Sequence, residues 1–186
     1  MKSCLLYTSA KAVCGNGAPH QAHLPSDSQG IEYLRSADVY KRQLIHNGII
    51  ENYATLKEKL QKKGFIFKSS TDTEVLVQLI EFFQLSNHLD LLTAVQLALH
   101  EVIGAYAIAV LDKNNPDEII AARKSSPLVV GIGKDEFFLA SDATPIVEYT
   151  DKVVYLQDGE IAVIRRDKAL EVVNLDNVCL LYTSPA

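Results

Sequence analysis

Ala105 to Asp112 reads AYAIAVLD, an apolar run closed by one carboxylate. A stretch of this length and composition predicts a strand buried on both faces, hence a layered domain. The chain before it reads as helix. Asn52 is placed to cap a helix to about Lys63, with Tyr53, Leu56 and Leu60 on one face, lysines pairing with Glu58 on the other, and Gly64 ending it. GFIFK, Gly64 to Lys68, alternates like a strand. Thr71-Asp72-Thr73-Glu74 is a capping-box pattern opening a helix with Val75, Leu76, Leu79, Ile80 and Phe83 inward. Leu91 to Ile103 carries Ala94, Val95, Ala98 and Val102 at helical spacing. After the buried strand, Asn114-Asn115-Pro116 predicts a turn, and strands are expected at 118–122, 128–133, 136–140, 152–156 and 160–165. Asp158-Gly159 reads as a hairpin turn between the last two, and Thr144 to Glu148 as a short helix. Helices first, then mostly hairpin-linked strands, give an α+β layered class.

Two short strings carry the chemistry. Leu44 to Tyr53 is LIHNGIIENY, and Ser70 to Glu74 is STDTE. In the first, an apolar run meets Asn47-Gly48 just before a helix, which reads as a strand-to-turn junction. Such a junction sets a carboxamide beside a glycine N–H that no Cβ shields, and two donors aimed at one point suit a developing oxyanion. Asn-Gly alone is also a common turn dipeptide, and Asp72 alone is ordinary first-turn charge near a helix N-terminus.

Taken together, HNGIIENY and STDTEV resemble the glutaminase domain of the class II glutamine amidotransferases, in the branch that makes hexosamines. Gly104-Ala105-Tyr106, Ala121-Ala122-Arg123, Ser126-Pro127-Leu128 and Ala140-Ser141-Asp142 extend the resemblance, which runs from about Leu44 to about Asn177. It implies a four-layer αββα sandwich of antiparallel sheets, of the N-terminal-nucleophile hydrolase type, with its N-terminal part incomplete. It implies that Asn47 and the Gly48 N–H stabilise the oxyanion, and that Asp72 and Gly48 bind substrate, Asp72 by gripping the α-amino group of glutamine. No cofactor or metal is expected. The implied role is glutamine hydrolysis feeding ammonia to a sugar phosphate, in a homo-oligomeric parent whose sugar-isomerising domains are not found in these residues.

In that family the nucleophile is an N-terminal cysteine whose own α-amine acts as base. Here the second residue is Lys2, and Cys14-Gly15, the only Cys-Gly pair, is internal. No nucleophile is assigned, and the chain as written is expected to be inactive. There is also no Trp anywhere, where the family carries an Arg-Trp loop. Other readings are a different class II amidotransferase, such as a purine-pathway enzyme or an asparagine synthetase, or a non-catalytic domain that binds glutamine through Asp72. Ile49 to Tyr53 and STDTEV argue against the first.

CLLYTS occurs twice, at Cys4–Ser9 and Cys179–Ser184. Its spacing fits no repeat architecture. Back-translated, it looks like one frame of a transposon-derived sequencing adapter, and DVYKRQ at Asp38–Gln43 like the opposite strand. The expected organisation is therefore residues 1–43 non-native or disordered, 44–177 a partial amidotransferase domain, and 178–186 an adapter-like tail. Ala10 to Ala37, rich in Gly, Pro, Ser and His without a period, reads as loop or disorder.

Charge excludes further classes. The net charge is −5, and the basic residues form nothing larger than adjacent pairs such as Lys62-Lys63 and Arg165-Arg166, so no nucleic-acid partner is expected. No apolar run approaches the roughly 20 residues that span a bilayer, and the Cys4–Tyr7 core is too short for a secretion signal, so the expected location is cytoplasmic, with no membrane partner. Three cysteines without metal-ligand spacing give no disulfide framework.

Overall fold

The computed structural model describes residues 4–7, 11–14, 20–21, 42–166, 168–176 and 179–180, with side chains over 43–176 apart from 87 and 167. Strands β1 (Cys4–Tyr7), β2 (Lys11–Cys14), β3 (His20–Gln21) and β4 (Arg42–Ile50) come first. Helices α1 (Tyr53–Lys62), α2 (Asp72–Asn87) and α3 (Leu91–Glu101) follow, then β5 (Gly104–Asp112), β6 (Asn115–Lys124), β7 (Val129–Ile132) and β8 (Phe137–Ala140). The remaining strands are β9 (Val153–Tyr155), β10 (Glu160–Arg165), β11 (Glu171–Asn174) and β12 (Cys179–Leu180). They form two antiparallel sheets, ordered β3-β2-β1-β8-β7-β9 and β12-β11-β10-β6-β5-β4. The fold is α+β. Lys11–Cys14 and His20–Gln21 are extended and paired, although their sequence shows no strand period.

The size of alternate side chains in β5 sorts the layers. Tyr106, Ile108 and Val110 join the cluster under the helices, with Leu56, Leu60, Leu76, Ile80, Val95 and Leu99. Ala107 and Ala109 face the other way and pack with Ala121, Ala162, Val130, Leu139 and Leu156 between the two sheets. Small side chains on that face let the sheets approach, while larger ones meet the helices. Helices, second sheet and first sheet are thus three successive layers. On the outer face of the first sheet, Ile146 packs with Val129, Phe138 and Ala140, and Phe138 stacks on Tyr149 at 5.2 Å. The expected helix at Thr144–Glu148 is a helical turn, with Val147 and Thr150 N–H bonded to the carbonyls of Ala143 and Ile146. Gly131 makes room for it, since a Cβ there would stand 2.5 Å from Ile146 Cγ2.

Two other expectations are corrected. GFIFK is not a strand. Gly64 ends α1 at φ +92°, its N–H bonding Gln61 O while Phe65 N–H bonds Leu60 O, a Schellman arrangement. The backbone beyond is then held by α2: Glu74 accepts the Lys68 and Ser69 N–H groups at 3.0 and 2.7 Å, and Gln78 Nε2 donates to Ile66 O at 2.9 Å. With those groups occupied by side chains, no strand partner is needed. Nor is Asp158-Gly159 a hairpin, because β9 and β10 lie in different sheets and the turn carries the chain across. Asp158 is fixed there by Arg123 Nη2 at 2.6 Å and the Ser125 N–H at 2.9 Å.

No helix among the described residues is long and apolar enough to cross a membrane.

Candidate functional site

Strand β4 is an edge of the helix-backed sheet and carries His46, Asn47 and Gly48 in its interior. The expected turn at this tripeptide is absent. The strand runs on to Ile50, with Asn47 opposite Ala107 and Gly48 opposite Tyr106. Gly48 makes this possible: its φ is +146°, and a Cβ would lie 2.1 Å from the Ala105 carbonyl oxygen. Gly104, opposite Ile50, is its counterpart, with φ +144° and a Cβ position 2.1 Å from the Ile49 carbonyl oxygen. The strands therefore close on each other through two glycines.

Alternation along β4 divides its side chains. Leu44 and Ile50 are buried under the helices, and the His46 side chain, 2% exposed, shares their face. Asn47, paired with Ala107, is on the opposite face and exposed; Gly48, paired with Tyr106, is also exposed but falls in register with His46 and Ile50. Asn52, expected as a helix cap, makes no capping bond. Its side chain instead donates to Glu101 O and accepts from Ile103 N–H, tying the start of α1 to the end of α3.

Asp72 opens α2 beside this edge. Thr71 caps the helix, accepting the Glu74 N–H at 3.3 Å, as its pattern predicts. The capping box is not reciprocal, because the Glu74 carboxylate serves Lys68, Ser69 and Gln78. Asp72 Oδ2 accepts the Ile50 N–H at 2.9 Å, and Oδ1 lies 3.5 Å from the Thr73 hydroxyl. That hydroxyl is 3.1 Å from His46 Nδ1, which is itself 3.8 Å from Asp72 Oδ1. Burial holds His46 below its ordinary pKa, against the pull of the Asp72 charge. His46 is thus neutral at pH 7 and its approach to Asp72 is no ion pair.

The fold brings Asp72 to β4 at Ile50 and His46. Asn47 and Gly48 sit two to three residues back on the same strand, roughly 7–10 Å along it, without a bond to Asp72. Among the described residues, the partly exposed Asp72 carboxylate and the exposed Asn47 and Gly48 lie along the outer edge of β4. His46 and Thr73 carry no role of their own in the sequence reading, and Glu74 carries only that of a capping-box partner. Period-two spacing from Leu44 and Ile50 was the available signal for an inward His46.

Residues 25–148 match the glutamine amidotransferase domain family. The chain belongs to that family. The amidotransferase domain is 81% identical over 138 residues to glutamine–fructose-6-phosphate aminotransferase (isomerizing) of Bacteroides thetaiotaomicron, covering 74% of this chain and 22% of that one. Against the same-named protein of Chlorobaculum tepidum it is 51% identical over 156 residues, 83% of this chain and 25% of that one. The domain thus spans a quarter or less of the length of these curated relatives. Among solved structures, glutamine phosphoribosylpyrophosphate amidotransferase of B. subtilis is similar, with a TM-score of 0.63 and 30% identity, over 72% of this chain and 29% of that one. The amidotransferase domain thus has the N-terminal-nucleophile hydrolase fold that its sequence resemblance implies.

Proposed function

We propose that this domain binds free glutamine at the edge of β4 and carries the oxyanion-stabilising half of a glutaminase site, the chain as written having no assigned nucleophile and so no hydrolysis of its own. Where a nucleophile completes such a site, the ammonia released would serve formation of an amino-sugar phosphate from fructose 6-phosphate, the reaction for which its relatives are named. Asp72 pairs with the α-ammonium group. Asn47 and the Gly48 N–H face the developing negative charge on the amide oxygen, where a preorganised donor is worth about 2.7–4 kcal/mol of barrier. The observation that carries this reading is the Asp72 carboxylate, held on one oxygen by the Ile50 N–H and left 23% exposed beside the Asn47–Gly48 strand. An ammonium group distinguishes the free amino acid from a residue within a protein, and a fixed carboxylate reads it. None of Cys4, Cys14 and Cys179 is assigned as nucleophile.

The test is thermal unfolding with increasing L-glutamine. Binding to the native state raises the midpoint by mass action. The reading expects a saturable rise that Asp72→Asn removes. No rise, or an equal rise in Asp72→Asn, would overturn it.

A further inference from the structure

His46 is a strange choice for its position. Its side chain is 2% exposed, on the face of β4 that meets the helices, between the core residues Leu44 and Ile50. Nε2 is buried with no hydrogen-bond partner among the described residues. An aliphatic side chain would fill this place without leaving a polar atom unpaired. The ring is instead aimed by its other nitrogen, which meets the Thr73 hydroxyl at 3.1 Å in the first turn of α2.

The protons can be placed from the partners. A neutral imidazole carries one N–H, and an N–H on Nε2 would be a buried donor with no acceptor, rarer in folded proteins than an unused acceptor. The proton therefore belongs on Nδ1, donating to Thr73 Oγ1. The Thr73 hydroxyl is then free to donate its own hydrogen to Asp72 Oδ1, 3.5 Å away. Asp72 Oδ2 already accepts the Ile50 N–H. Oδ2 is thus held by the Ile50 N–H, and Oδ1 is within reach of the Thr73 hydroxyl at 3.5 Å, so the carboxylate is met on both oxygens from the protein side.

We propose that His46 is a positioning residue for amino-group recognition, orienting Asp72 through the Thr73 hydroxyl. The proposal rests on the reading that Asp72 pairs with the α-ammonium group. His46 touches no substrate atom. It sets which way the carboxylate faces, and so how well the site separates glutamine from an amide acid lacking the amino group.

The test compares dissociation constants for L-glutamine and for glutaramate, the same molecule without its α-amino group, measured by calorimetry. The ratio of the two constants reads amino-group recognition alone, and a purely structural role for His46 would change the thermal midpoint without moving it. Wild type is expected to prefer glutamine, and Asp72→Asn to lose that preference. Thr73→Val, which breaks the relay at a half-buried helix end, is expected to lower the ratio about tenfold, the scale of one charge-assisted hydrogen bond. His46→Phe should do the same, and His46→Asn, whose amide can donate near the place of Nδ1, should restore much of it. Should His46→Phe fail to fold, Thr73→Val and His46→Asn decide. If Asp72→Asn loses the preference while folded Thr73→Val keeps it, the role of His46 is overturned and that of Asp72 stands. If wild type shows no preference, or Asp72→Asn retains it, the reading of Asp72 fails and the inference with it.

Discussion

Asp72 Oδ2 accepts the N–H of Ile50 at 2.9 Å, joining the first residue of α2 to the last of β4. Ile50 is fully buried, so its amide depends on this carboxylate. Asp72→Ala should cost about 1–3 kcal/mol, the scale of an unsatisfied buried donor, whereas Asp72→Asn keeps an acceptor and should cost less. Urea unfolding of the two variants checks the difference, and equal losses would show that the bond contributes little.

Gly48 and Gly104 predict a local intolerance. Each has a backbone that L side chains rarely adopt, and a Cβ on either would press on the carbonyl of the facing strand. Gly48→Ala and Gly104→Ala should each destabilise by at least about 1–3 kcal/mol from backbone strain, with the clash adding to it. Gly159→Ala, at φ +81° with open space around it, should show the strain without the clash. Chemical denaturation midpoints of the three rank them.

Glu74 is a buried carboxylate that accepts the backbone N–H groups of Lys68 and Ser69, the Ser69 hydroxyl and the Gln78 amide. Glu74→Ala would leave two backbone donors unmet, costing at least about 2 kcal/mol. The same change should loosen residues 66–71, which lead into Asp72. Amide hydrogen exchange at Lys68 and Ser69 should accelerate in the variant. Unchanged exchange there would contradict the role.

His46 sets a pH dependence. Its folded pKa lies below the ordinary 6.5, with burial the larger cause and Asp72 opposing it. The unfolded chain therefore binds this proton more readily than the folded one, and stability falls as pH drops through 6.5 toward the lower folded value. Above that window His46 is neutral in both states and its contribution is constant. The stability gap between wild type and His46→Asn should accordingly narrow from pH 8 to pH 5 in urea unfolding. A gap that widens would mean His46 is charged in the fold.

Much of this was legible in the chain because the signals are local. Thr71 caps α2 as its pattern predicts, Gly64 closes α1, and the apolar run of β5 is buried on both faces. What escaped depends on partners distant in sequence. GFIFK alternates like a strand, yet α2 side chains occupy its backbone groups. Asp158-Gly159 has the chemistry of a turn, but nothing local says that its flanking strands join different sheets. Asn47-Gly48 reads as a turn because Asn-Gly usually is one, and only the close approach of β5, with Ala105 O at 2.1 Å from where a Gly48 Cβ would stand, shows that the glycine serves a continuing strand. Asp72 was legible as helix-start charge and, by resemblance, as a ligand for an amino group. Its tie to Ile50 and its link through Thr73 to His46 arise only when α2 docks on β4.

The most direct measurement is a calorimetric titration of L-glutamine into the 186-residue protein and into Asp72→Asn. The account predicts saturable one-site binding to the first, weakened at least about tenfold in the second, for the loss of a charge-assisted pair. Absence of binding to the wild-type chain, or equal affinity in Asp72→Asn, would contradict it.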